Sequence, residues 1–160
     1  MLYTLLVRAR NITLIKRAIR KTKKILGIAD GFDYSMLVKK YARGKTFADI
    51  GCMWGINGGY SFLAEDSGAT KVVAVDVYPE SSEFLAEKKK RNSKIQFVRG
   101  DINIPETTQK IGTCDVVFCS GVLYHTPDPI HLLMQLRAIT KETLILNTAS
   151  IPEVPGIKNV

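Results

Sequence analysis

Three aspartates, Asp49, Asp76 and Asp101, each stand at or beside the end of a short apolar run, in TFADIG, KVVAVD and QFVRGD. A glycine-rich stretch, ADIGCMWGINGGYSFLAEDSG, surrounds the first of them, and Tyr124 and His125 close a fourth apolar run, CDVVFCSGVLYH. Carboxylates accept hydrogen bonds from hydroxyls and amines and attract cations. An imidazole, whose unperturbed pKa lies near neutrality, can take a proton from a hydroxyl or amine, and a phenol can orient a substrate.

These residues depend on the elements that carry them. From Lys45 onward, short apolar runs alternate with helical ones: TFADIG, then a helix to Glu65; KVVAVDV, then SSEFLAEKKKR; IQFVRGD, then a short turn; CDVVFCSG, then PIHLLMQLRAI; and TLILNTA. Strands apolar on both faces and joined by helices must be parallel, because a parallel connection needs a long crossover that covers the sheet. The pattern therefore predicts a doubly wound, mostly parallel α/β domain over residues 45–160. In such sheets a ligand binds outside the carboxyl ends of the strands, where the strand order reverses.

The glycine-rich stretch follows the first strand, at that place. Gly51 and Gly55 would let the loop turn tightly and approach a ligand, and Gly58 and Gly59 would let the next helix start close to it. Asp76 ends the second strand 25 residues after Gly51 and is placed to accept from the two hydroxyls of a ribose. A nicotinamide dinucleotide would be held in the same way, but G-x-G-x-x-G is absent and the Asp49 carboxylate would repel a pyrophosphate. Beside an ammonium or sulfonium group the same charge is favourable. Asp101 can accept from an exocyclic amine such as that of adenine, and Ile102 can pack on its ring. A ligand with an ammonium group, a ribose and an adenine, and no phosphate, fits the three acids.

DIGCMWG, Asp76, GDI and CDVVFCSGVLYH, in that order over about residues 44–150, resemble the class I S-adenosylmethionine-dependent methyltransferases. The resemblance implies a Rossmann-like methyltransferase fold with S-adenosylmethionine as cofactor. It puts Asp49, Gly51, Cys52 and Gly55 in the cofactor loop, Asp76 and Val77 at the ribose, Asp101 and Ile102 at the adenine, and Ser120 at the end of the fourth strand. Met53 departs from the family's D-x-G-x-G-x-G, replacing the middle glycine. Residues around the transferring methyl belong to GVLYH, so His125 is a candidate base and Tyr124 a candidate substrate-orienting group; alternatively both shape the pocket wall or cap the next helix. Trp54 and Tyr60 wall the pocket or join the core, and His131 is expected on a helix surface. GVLYH followed by a Pro-containing turn and HLL is also similar to the tRNA wobble-uridine carboxymethyltransferases.

The resemblance implies seven strands, the last two forming a hairpin, whereas this chain reads as five. It is therefore expected to lack those two, whether through truncation at its carboxyl end, because a partner chain supplies them, or as a natural minimal form. TLILNTA would then be an apolar edge strand, and association into a homo-oligomer through this edge or through the first helix is expected. Two readings of competence stay open: an enzyme that aligns a nucleophilic acceptor with the sulfonium methyl, and a module that binds cofactor without a complete acceptor wall.

The net charge of +8 is uneven: residues 1–45 carry twelve Lys/Arg against two Asp, and the remainder eleven against thirteen Asp/Glu. Leu5, Ile12, Ile19 and Leu26 recur every seven residues, with Arg8, Lys16, Arg17, Arg20, Lys21, Lys23 and Lys24 around them, which predicts an amphipathic basic helical segment over residues 1–44. A short second helix through YSMLVKKYAR, capped by Asp33 and ended by Gly44, completes it. Residues 8–24 could meet RNA, although few aromatics accompany the charge; a small-molecule acceptor is the first expectation. No apolar run is long enough for a membrane span and no signal peptide is read, so a cytoplasmic location is expected. Cys52, Cys114 and Cys119 are expected as reduced thiols. No metal site is expected, since Cys114 and Cys119, five apart on a strand, should point to opposite faces.

Overall fold

The computed structural model describes residues 33–149, and the predicted first helix and the carboxyl-terminal residues 150–160 lie outside them. One compact unit starts at Tyr34. In chain order it contains α1 (Ser35–Ala42), β1 (Thr46–Ile50), α2 (Gly59–Asp66), β2 (Lys71–Asp76), α3 (Ser82–Arg91), β3 (Gln96–Arg99), α4 (Pro105–Ile111), β4 (Cys114–Ser120), a 3-10 turn (Leu123–His125), α5 (Pro129–Ile139) and β5 (Thr140–Asn147).

The strands form one sheet in the order β3-β2-β1-β4-β5, and every pair is parallel. β1 thus has β2 on one side and β4 on the other, so the order reverses between β1 and β4. In open parallel sheets this reversal, at the carboxyl ends of the strands, is where ligands bind.

Both faces of the sheet are covered, as the unbroken apolar runs require. Phe47, Val72, Ala74, Val116 and Phe118 face one core, which Val38 and Ala42 of α1, Phe62 of α2 and Phe84 of α3 complete. Ala48, Ile50, Val73, Val75, Val117 and Cys119 face the other, against Ile111 of α4 and Leu132, Leu136 and Ile139 of α5. The period of two along each strand divides the residues between these layers.

Four local expectations are corrected. The N-cap of α1 is Tyr34, with no side-chain cap bond, so Asp33 is not the cap. The segment after β3 holds a true helix, α4, started by Pro105, which donates no amide and suits the first helical turn. β5 begins three residues earlier than TLILNTA, because Thr140 pairs with Cys114 directly after α5. A register shift between Cys114 and Val116 breaks the alternation of β4, so Cys114 and Cys119 pack into the same core. β5 is the last strand on its side among the described residues, and its Leu146 is partly exposed.

Candidate functional site

The site is built where β1 and β2 end. Asp49, the penultimate residue of β1, is completely buried and accepts the hydroxyl proton of Ser61, in the first turn of α2, at 2.6 Å. Burial raises its pKa to about 7, against the lowering effect of the Ser61 hydrogen bonds and with a further push from Asp76. The carboxyl is poised to change charge near neutrality, behind the loop and not openly at its entrance as the sequence suggested.

Asp76, the last residue of β2, is also buried and is the organising group of the loop. The Met53 amide donates to its Oδ2 at 2.7 Å and the Tyr78 amide to its Oδ1 at 2.9 Å. A carboxylate oxygen carries two lone pairs, so one on each oxygen is left by these bonds. Two acceptor positions set on one rigid carboxylate match a vicinal diol.

Main-chain geometry explains two of the glycines. Gly51 has φ +83°, and a Cβ there would meet Val122 Cγ2 at 2.5 Å and the Ser120 carbonyl at 3.1 Å. Its bareness lets the β1 loop press against the residues after β4, while its amide donates to the Val75 carbonyl at 2.9 Å. Gly58, the N-cap of α2, has φ +72°, and a Cβ there would collide with the Phe84 ring. The close neighbours of both glycines are therefore protein, a packing reason that the sequence alone did not separate from ligand approach. Gly55, also at positive φ, faces open space.

The remaining predicted residues fall at different depths. Cys52 is in the loop, but its side chain is buried in the core; its amide donates to the Val75 carbonyl at 3.2 Å and its carbonyl accepts from the Gly58 amide at 2.7 Å. Burial pushes the Cys52 thiol far up and that of Cys119 to about 12, so neither is a ready thiolate. Val77 is exposed next to Asp76. Asp101 is half-buried, and its Oδ1 accepts from the Asn103 amide and side chain, both at 2.9 Å, whereas Ile102 is buried in the second core. Ser120 accepts from the Asn147 side chain at 2.8 Å, and Asn147 in turn accepts from the Tyr34 hydroxyl at 2.6 Å. Tyr124 and His125 are exposed on the 3-10 turn after β4, with ring centroids 4.3 Å apart.

Sequence reasoning missed Ser61, Asn147 and Tyr34, because each acts through a partner remote in the chain. Tyr60 joins the first core, packed 4.7 Å from the Phe118 ring, whereas Trp54 is exposed. His131 is half-buried and not on the surface: its Nε2 lies 3.0 Å from the Asn103 carbonyl, tying α5 to the loop that carries Asp101. A cavity of about 420 Å³ lies between α2 and α3, lined by Phe62, Asp66, Glu83, Glu87 and Arg91 among others, and it includes none of the three acids.

A parallel sheet in this order, with buried acids at the carboxyl ends of the adjacent strands β1 and β2, defines a Rossmann-like α/β domain. A methyltransferase domain family model matches residues 48–145, more than half of the chain. Among curated proteins, the tRNA U34 carboxymethyltransferase of Campylobacter hominis is 36% identical over 100 residues, covering 60% of this chain and 32% of that protein. Among solved structures, an S-adenosylmethionine-dependent methyltransferase from Mesorhizobium loti superposes with a TM-score of 0.50 at 19% identity, over 69% of this chain and 50% of that one. Coclaurine N-methyltransferase bound to N-methylheliamine and SAH gives 0.53 at 19% identity, over 66% and 31%. The two structures show the fold.

The chain belongs to this methyltransferase domain family and carries a class I S-adenosylmethionine-dependent methyltransferase domain. It spans about a third of the length of the curated relative from Campylobacter hominis. Among the described residues no helix is long and apolar enough to cross a membrane, and no cluster of potential metal ligands is found.

Proposed function

We propose that the carboxyl ends of β1, β2 and β4 bind S-adenosylmethionine and that the protein transfers its methyl group to a nucleophilic acceptor. The observation that carries this reading is the Asp76 carboxylate, buried, fixed by two amides and left with one acceptor position on each oxygen. A ribose diol satisfies both positions, and a buried carboxylate favours such partners because unsatisfied acceptors are costly there. Asp49 contributes a second carboxyl, able to become anionic when a cationic group approaches.

When bound, the cofactor supplies a methyl group on a sulfonium centre. The chain's own part is positioning: Asp76 holds the ribose, Gly51 lets the β1 and β4 loops close together, and the segment from Ser120 to His125 faces the acceptor. Alignment of the two centres can supply most of the rate, with His125 taking the acceptor's proton where the acceptor needs a base and Tyr124 orienting it.

For the acceptor, the curated relatives favour RNA over the small molecule first expected. The matched tRNA U34 carboxymethyltransferases are named for a tRNA nucleotide, and the basic residues 8–24 suit a polyanion. Incubating the protein with labelled S-adenosylmethionine and either total tRNA or a set of small amine and hydroxyl acceptors tests this. Label in tRNA nucleosides is expected, carried as a methyl group that mass spectrometry of the product identifies. Label only in small acceptors would overturn the RNA reading, and no label with cofactor binding intact would leave a binding module.

A further inference from the structure

Asp101 lies just past β3, on the same edge of the sheet as Asp76, and the amide of its neighbour Gly100 donates to the Asp76 carbonyl at 2.9 Å. Its carboxylate is used unevenly. Oδ1 accepts twice from Asn103, from the backbone amide and from the side-chain Nδ2, both at 2.9 Å, whereas no donor reaches Oδ2 among the described residues. The backbone bond is an ordinary turn, in which an aspartate accepts from the amide two residues on. The side-chain bond is not required by that turn, and Asn103 Oδ1 is left buried with no partner among the described residues. A buried acceptor left unpaired is a cost, so the arrangement calls for a reason other than local stability.

The loop is also fixed from α5. His131 Nε2 lies 3.0 Å from the Asn103 carbonyl, across 28 residues of chain. A ring nitrogen donates to a carbonyl only when it carries a proton, so the contact sets the Nε2–H tautomer; the Gln135 side-chain amide, 3.3 Å from the same nitrogen, then presents its oxygen. Ile102 is buried in the second core, and a Cβ at Gly100 would collide with Thr107 of α4. Asn103 is thus held in place, and its two N–H groups fill both lone pairs of one oxygen. Asp101 is left with a single free oxygen, an acceptor only, on a half-buried carboxylate. An exocyclic amine satisfies that oxygen, and a base without the amine leaves it bare.

We propose that Asn103, held from α5 by His131, is a positioning residue that keeps Asp101 Oδ2 as the acceptor for the exocyclic amine of the cofactor's base. This role rests on the cofactor reading given above. The three residues act in line, His131 on Asn103 and Asn103 on Asp101, and only Asp101 touches the ligand.

Calorimetry with two probes tests this: S-adenosylhomocysteine, and its counterpart with hydrogen in place of the adenine amino group. The quantity read is the ratio of their affinities. The protein is expected to favour the amine by about ten- to a hundredfold, as a hydrogen bond to a charged acceptor gives. Asn103→Ala, and Asn103→Asp, which keeps the shape without the donor, are each expected to cut that ratio by about fivefold or more, chiefly by weakening the adenine probe. His131→Ala should act in the same direction, and His131→Gln, whose amide nitrogen can stand near the place of Nε2, should restore the ratio. A residue that only supported the fold would weaken both probes alike and leave the ratio unchanged; circular dichroism checks that each variant folds. The proposal is overturned if the parent binds both probes within about twofold of each other, or if the parent discriminates and the folded Asn103 variants keep its ratio within about twofold. A folded parent that binds neither probe would overturn the cofactor reading, and this proposal with it.

Discussion

Asp49→Asn should change the way stability depends on pH. The Asp49 carboxyl is completely buried and its pKa is raised from 3.8 to about 7, chiefly by burial. An acid whose folded pKa is raised contributes stability that is fully present below its unfolded pKa and is lost as pH rises through the folded one. One pH unit within that window is worth about 1.4 kcal/mol. Between about pH 5 and about pH 7, the wild type should therefore lose about 2 kcal/mol through this group alone. Asparagine can still accept from Ser61 but does not titrate, so the substitution adds an offset that does not vary with pH. Urea unfolding of both proteins across this range reads the effect as a difference, free of every other titrating group. The variant should gain on the wild type as pH rises. Two curves that run parallel from about pH 5 to about pH 8 would refute the argument that Asp49 is a buried carboxyl on the verge of ionisation.

The same group should make cofactor affinity rise as pH increases through about 7, with protons released on binding, since the anionic carboxylate favours a cationic ligand; calorimetry in buffers of different ionisation enthalpy reads the release. Asp76→Ala should weaken S-adenosylhomocysteine by about 1 to 3 kcal/mol by calorimetry, because the diol loses its charged acceptor and two loop amides lose theirs. Gly51→Val should weaken binding and lower the midpoint of thermal unfolding, since its Cβ would overlap Val122 and its φ of +83° strains any branched residue. Phe84→Ala should cost about 3 to 5 kcal/mol in urea unfolding, because the ring is completely buried against Phe62 and beneath Gly58.

The sheet was legible because its strands are apolar on both faces, a pattern that admits only a parallel arrangement covered by helices. Asp76 was legible for a related reason, since a charged residue closing the run KVVAVD must either meet a ligand or carry local structure, and it does carry the loop. The depth of Asp49 was not legible: only the pairing of β1 between β2 and β4 buries it, and Ser61 reaches it from the next helix. The glycines misled in part, because Gly51 and Gly58 answer to Val122 and Phe84, partners far along the chain. The two cysteines of β4 were placed on opposite faces because a register shift has no signature in a single sequence. His131 reads as a surface residue from helical periodicity, yet the loop after β3 folds over it.

The most direct test of the central claim is calorimetric titration of the purified protein with S-adenosylhomocysteine, with wild type and Asp76→Ala side by side. Saturable one-to-one binding that the substitution weakens is the predicted result. A folded wild type that does not bind, or that binds equally well without the Asp76 carboxylate, would contradict the account.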